Sequence, residues 1–215
     1  MRTDELIDLL GRGVARVDPC AFPRRLRVSI AVGAGGALPA ALLALGPRRD
    51  LHDPEALSFV LLKLAFTVSV AAVAFLLLSR LVRPGGEHKA RVPLAILPFG
   101  AMGLLGTFSL ALAPAAHWEE MLVGDRWLQC LLFIPLTAMM PFAVIMWTVR
   151  RFAAPTALVR TGAVIGLVSG SVSAMGYALH CPDDSLPFVA LWYGGTIVLC
   201  TVVGALFGPY LLRWR

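Results

Sequence analysis

Residues 56–79 read ALSFVLLKLAFTVSVAAVAFLLLS, an apolar run broken by one charge, Lys63. About 20 apolar residues in helical conformation match the hydrocarbon thickness of a bilayer, so a run this long reads as a membrane span. Comparable runs lie at about 28–47, 92–116, 127–149, 161–179 and 185–212, separated by short charged or Pro/Gly-bearing stretches such as Arg48-Arg49-Asp50 and Pro84-Gly85-Gly86. Six runs of this kind predict an all-α polytopic membrane protein, a bundle of six transmembrane helices over residues 26–215 behind an N-terminal segment of residues 1–25.

Composition agrees. The chain has 215 residues, 58% hydrophobic and 15% charged, with mean hydropathy +0.78. Soluble domains sit near half apolar and about a quarter charged, and six spans leave little chain for a folded soluble domain. The pI of about 9.7 could point to nucleic acid, but in a membrane protein an excess of Lys and Arg chiefly fixes orientation, and no direct nucleic-acid contact is expected. The start lacks the basic-then-apolar pattern of a secretory signal, so residues 1–25 are expected to be retained. With six spans both termini share a side. That side collects 15 of the 19 Lys and Arg, whereas the other holds Arg48, Arg49 and Arg126 against eight acids. Positive charge stays inside, so both termini are expected in the cytoplasm and the 180–184 loop outside.

The N-terminal segment carries helix signals. Thr3 can cap, Asp4 and Glu5 suit the first turn, and Leu6, Leu10, Val14 and Val17 recur at helical spacing beside Ile7. Pro19 and Pro23 stop it. So short a helix needs a surface to bury its stripe. That surface is either the membrane and the protein's own loops, or a soluble partner.

Inside the spans, Lys63 is the one Lys or Arg well within an apolar run. About 10 Å deep at 1.5 Å per residue, it can snorkel outward to Glu55 or another outer acid, or couple the outer face to the bundle. Pro135 and Pro141 invite kinks in the fourth span, and Gly162, Gly166, Gly170 and Ala174 form a close-packing row in the fifth. Four cysteines occur without a C-x-x-C: Cys20 in the tail, Cys200 mid-span, Cys130 near the outer end of span four, and Cys181 in the outer loop. Cys181 belongs to the polar island Tyr177-Ala178-Leu179-His180-Cys181-Pro182-Asp183-Asp184. Two thiols on one oxidising face can form a disulfide if their Cα atoms come within about 7 Å. They can also hold a soft metal with His180 or His117, or serve structure alone. No G-x-S-x-G, H-E-x-x-H or phosphate-binding glycine loop is present, and no catalytic residue or cofactor is assigned.

The chain resembles the NrsF family of six-span bacterial inner-membrane anti-sigma factors over essentially its whole length. The resemblance is carried by Thr3-Asp4-Glu5-Leu6-Ile7, Leu62-Lys63-Leu64, Arg126-Trp127-Leu128-Gln129-Cys130 through Pro135, and above all residues 177–184 with Phe188-Val189-Ala190-Leu191-Trp192-Tyr193. It implies a non-enzymatic regulator that holds an extracytoplasmic-function sigma factor at the membrane and releases it on oxidative or heavy-metal stress. It further implies sensing by the pair Cys130 and Cys181, to which the residue chemistry above adds Lys63 and His180 as candidate auxiliary residues. Partner binding then falls to Thr3, Asp4, Glu5, Leu6, Ile7 and Leu10. The rival readings are a membrane thiol-disulfide oxidoreductase coupled to quinone, which usually needs two cysteine pairs, and a small metal permease using His180 and Cys181.

Overall fold

The computed structural model describes Thr3, Glu5, Asp18 and residues 21–48, 50, 52–83, 85–86 and 92–213. No strand occurs among them. Six helices are long and apolar enough to cross a membrane, which gives the all-α architecture expected from the runs. Helix α1 is Ala21–Leu45, α2 Pro54–Leu81, α3 Ile96–Leu112, a short α4 Trp118–Val123, α5 Trp127–Phe152, α6 Leu158–Ala178 and α7 Leu186–Leu211.

Local chemistry sets the boundaries. Gly46, at φ 78°, takes the left-handed position that ends α1, and its N–H returns to the Leu42 carbonyl at 2.9 Å. Asp53 caps α2 by accepting from the Glu55 N–H at 3.1 Å, with Pro54 opening the first turn. Ser185 caps α7 through the Phe188 N–H at 3.2 Å. Two details depart from the sequence reading. Pro23 sits inside the first turn of α1 rather than ending the tail. Thr3 is itself helical and so does not occupy a capping position. The prolines of α5, like Pro39 in α1 and Pro209 in α7, are carried within single continuous helices.

Helix α6 is the axis of the bundle. It packs against α1, α2, α5 and α7, and 72% of its span window is buried against 11% for α3, which lies at the periphery. The expected glycine row is its seam with α7. A methyl on Gly162 would strike the Gly204 carbonyl, and one on Gly166 the Cys200 carbonyl. Gly170 would meet Cys200 Cβ at 2.9 Å, and Gly208 would meet the Leu158 carbonyl at 2.7 Å. Helices this close touch backbone to backbone, as small-residue interfaces in lipid allow. Leu43, Leu97, Leu104, Leu132, Leu136 and Leu206 are exposed around the outside. An apolar girdle of this kind suits hydrocarbon and not water.

Near its start, α7 widens into a π-helical segment, Val189–Tyr193. Such an insertion is uncommon and frequent at functional sites. Here it lies beside the loop that carries Cys181.

Candidate functional site

Three connections meet at one end of the bundle: 46–53 between α1 and α2, 113–126 between α3 and α5, and 179–185 between α6 and α7. The last is the hub. Its backbone leaves α6 through His180 and Cys181 N–H bonds to the Tyr177 carbonyl, both 3.0 Å. The Leu179 carbonyl accepts from the Arg48 N–H at 3.1 Å. His180 Nδ1 lies 2.8 Å from the Gly46 carbonyl. A carbonyl only accepts, so Nδ1 carries the proton and Nε2 holds a lone pair in the neutral ring. That Nε2 is buried without a partner.

Two adjacent carboxylates reach in different directions. Asp183 accepts from the N–H groups of Arg126 at 2.9 Å and Asp125 at 3.4 Å, so it caps α5 from another part of the chain. Asp184 binds two cations. Lys63 Nζ donates to its Oδ1 at 2.8 Å and to the Cys181 carbonyl at 3.0 Å. Arg48 Nη1 donates to the same Oδ1 at 2.8 Å and Nη2 to Oδ2, while Nη1 also reaches the Cys181 carbonyl at 3.4 Å. The other edge of the guanidinium grips Asp50 through Nε and Nη2. One planar fork thus serves two carboxylates, which an ammonium cannot do. Between these acids, Arg48 holds its proton even more tightly than a free guanidinium, chiefly through Asp184 and then Asp50. Arg48 in turn holds the exposed Asp50 below its ordinary range.

Of the outer acids within the expected reach of Lys63, the partner is not Glu55, and the side chain is buried rather than at the surface. Its exposure is 0%, and the carboxylate that meets it is Asp184, itself 19% exposed. A buried ammonium persists only when paired and hydrogen-bonded, and the 179–185 loop supplies both acceptors.

Cys130 and Cys181 are each 0% exposed and belong to one buried cluster with Tyr177, Phe188 and Tyr193. Both are free thiols, as is Cys200 in the α6–α7 seam, whereas Cys20 lies outside the described residues. Tyr177 and Tyr193 stack obliquely at 5.9 Å between ring centroids, and Phe188 meets Tyr193 at 6.4 Å, forming an aromatic wall. The Tyr193 hydroxyl is buried without a well-formed hydrogen bond; the polar group beside it is the Cys181 thiol. Burial pushes the Cys181 thiol up, and the Lys63 charge offsets only part of that, so the group rests as a protonated thiol. Among the described residues no three His, Cys, Asp or Glu side chains converge as metal ligands, so His180 does not join the two thiols in a ready-made site.

Solvent reaches the acids and not the sulfurs. A cleft of about 500 Å³ opens between the 113–126 and 179–185 connections, lined by His117, Glu120, Asp125, Asp183 and Asp184 among others. At the opposite end a second cleft of about 570 Å³ is lined by Phe75, Ser79, Arg80, Arg83 and Gly86 together with Pro23 of α1. Of the tail residues expected to bind a partner, Thr3 and Glu5 are helical and exposed. Asp4, Leu6, Ile7 and Leu10 lie outside the described residues.

Sequence reasoning placed Asp183 and Asp184 in the polar island and counted Arg48 only as a charge, joining none of them to Lys63. The signal that could have singled them out was Lys63 itself, since a lysine within a span demands a carboxylate at its own depth.

No solved structure matches the chain. Two curated proteins match it end to end, each 33% identical over 215 residues and covering 100% of both chains. They are the probable anti-sigma-F factor NrsF of Azospira oryzae and the anti-sigma-F factor NrsF of Caulobacter vibrioides. The family model described as "Negative regulator of sigma F" matches residues 10–214. The chain therefore belongs to the NrsF family of negative regulators of a sigma factor.

Proposed function

We propose that this chain sequesters a sigma factor of the extracytoplasmic-function type at the bacterial inner membrane. In this reading both termini lie in the cytoplasm, and Cys130 and Cys181 report conditions outside. The observation that carries the proposal is the end-to-end likeness to two anti-sigma-F factors. Orientation rests on the charge split, which puts the 46–53, 113–126 and 179–185 connections outside. The acidic, apolar-striped tail (Thr3, Asp4, Glu5, Leu6, Ile7, Leu10) is the docking segment for the partner.

Sensing by the pair draws support from its setting, since both thiols are buried beside Tyr177 and Tyr193 at the end where the loops meet. A two-electron oxidant would take two electrons and two protons from them and leave an S–S bond. A thiophilic divalent cation would replace the two thiol protons and leave two metal–sulfur bonds. Either product ties the loop to α5. Because the thiols are covered, the loop must open before reagent arrives, which sets a threshold on the response.

The test is co-purification. The detergent-extracted protein should carry a sigma factor, and deleting residues 2–10, or changing Leu6→Asp with Leu10→Asp, should release it while the protein stays in the membrane. Retention by both variants moves the docking surface elsewhere. Absence of a sigma factor from the wild-type preparation removes the proposal.

A further inference from the structure

We infer that Asp184 and Lys63 form the joint through which the state of Cys181 is passed to α2, with Lys63 as the positioning residue. The inference rests on the sensing reading above and adds a route to it.

Cys181, Pro182, Asp183 and Asp184 are consecutive, and proline stiffens the short connection. Lys63 Nζ holds the first of these by its carbonyl at 3.0 Å and the last by its carboxylate at 2.8 Å. A displacement that moves the Cys181 thiol toward α5 must therefore strain both bonds together. Among the described residues Lys63 Nζ has no acceptors besides these two, and it is 0% exposed. An ammonium stripped of its partners cannot remain in that site, so α2 must turn or shift with the loop, or open to admit water.

The neighbouring arms behave differently. Asp183 holds α5 through backbone N–H groups near the surface, and Arg48 keeps Asp50 when Asp184 leaves. Only the Lys63 arm loses all its compensation at once.

Helix α2 is suited to carry the displacement. It is the one span with neither glycine nor proline beyond its first turn, and kinks in helices arise at such residues. From Lys63 to Arg80 it covers about 25 Å at 1.5 Å per residue. Its far end lines the arginine-bearing cleft with Phe75, Ser79, Arg80 and Arg83. Motion at Lys63 is therefore delivered to the end of the bundle where the tail begins.

The experiment uses the full chain in lipid nanodiscs, with Cys20→Ser and Cys200→Ala so that mercuric ion reads the Cys130–Cys181 pair alone. Hydrogen exchange is followed at residues 179–185 and at residues 76–83. In this background mercuric ion should raise exchange in both segments. In Lys63→Met the loop should still respond, while the response at 76–83 falls to less than about a tenth. Lys63→Arg should restore it. A purely structural lysine would lower the melting temperature without uncoupling the two segments. Should Lys63→Met fail to fold, Lys63→Met with Asp184→Asn removes both charges and is read the same way. Equal responses at both segments in the Met variant, or a loop response without one at 76–83 in the parent, overturns the joint alone. No response in either segment of the parent overturns the sensing reading as well.

Discussion

The same helices are held together by opposite means at the cysteine-bearing end and along the α6–α7 seam. At the end, side chains reach across: Arg48 and Lys63 to Asp184, Ser185 to the Met121 carbonyl, Trp192 to the Leu122 carbonyl. Along the seam it is the lack of side chains that matters, because glycines let the two backbones touch. The first arrangement has parts that can be exchanged or released one at a time. The second either fits or does not. A regulator that must move at one end and remain assembled in the middle needs both.

The largest expected effect breaks the seam. Gly166→Leu drives a side chain into the Cys200 carbonyl, beyond the roughly 1–3 kcal/mol of ordinary overpacking, and should abolish a monodisperse, thermally cooperative species in detergent. Gly100→Leu, where a Cβ meets nothing within 4 Å, is the matched control and should be neutral. Equal behaviour of the two variants would remove the seam's special status. Next comes the end. Asp184→Ala strands Lys63, while Arg48 keeps Asp50, and should cost about 3 kcal/mol, the lower part of the range for breaking a buried pair, since the carboxylate is 19% exposed. Thermal unfolding measures it, and a loss under about 1 kcal/mol would reduce the cluster to a surface ion pair.

Those two regions were unequally legible beforehand. Run lengths anticipated six helices long and apolar enough to span a membrane, because the length of an apolar run is a property each helix carries alone. The glycine row of α6 was visible as a spacing, and its answer in α7, Cys200, Gly204 and Gly208, repeats every four residues and could have been read as well. Lys63 signalled that it needs a carboxylate, but not which one. Lys63 and Asp184 are 121 residues apart, and which outer acid descends to meet the lysine depends on how the loop leaves α6. The burial of both thiols was hidden for the same reason, since it depends on core partners such as Tyr177, Phe188 and Tyr193 that only the fold assembles. The π segment at 189–193 leaves no mark on hydropathy.

A smaller effect concerns pH. Because burial raises the Cys181 thiol, the folded protein keeps a proton that the unfolded chain gives up. Stability from this group is then present below the ordinary thiol range, near 8.5, and declines as pH rises above it. Maleimide labelling of Cys181 in the folded protein should be slow at pH 8 and accelerate as the loop is loosened by Asp184→Ala. Labelling at the rate of a free thiol in the wild type would contradict the closed loop. The smallest effect is at Tyr193, whose hydroxyl is buried without a well-formed hydrogen bond. Tyr193→Phe should be neutral or stabilising by up to about 1 kcal/mol; a loss of 2 kcal/mol or more would mean that the thiol contact supports the fold.

The burial of α6 also bears on how the protein is made. Helix α6 is the least apolar of the six long helices, with Thr161, Ser169, Ser171 and Ser173 along it. Synthesis delivers it after α1, α2 and α5, so three of its four neighbours in the fold have already left the ribosome when it emerges. Ser169 and Ser171 bond back to carbonyls of their own helix at 2.8 Å, which satisfies both hydroxyls before any partner answers them. The glycine face meanwhile lacks the backbone it fits, and it stays so until residues 194–211 follow. The next helix born is the one that closes it.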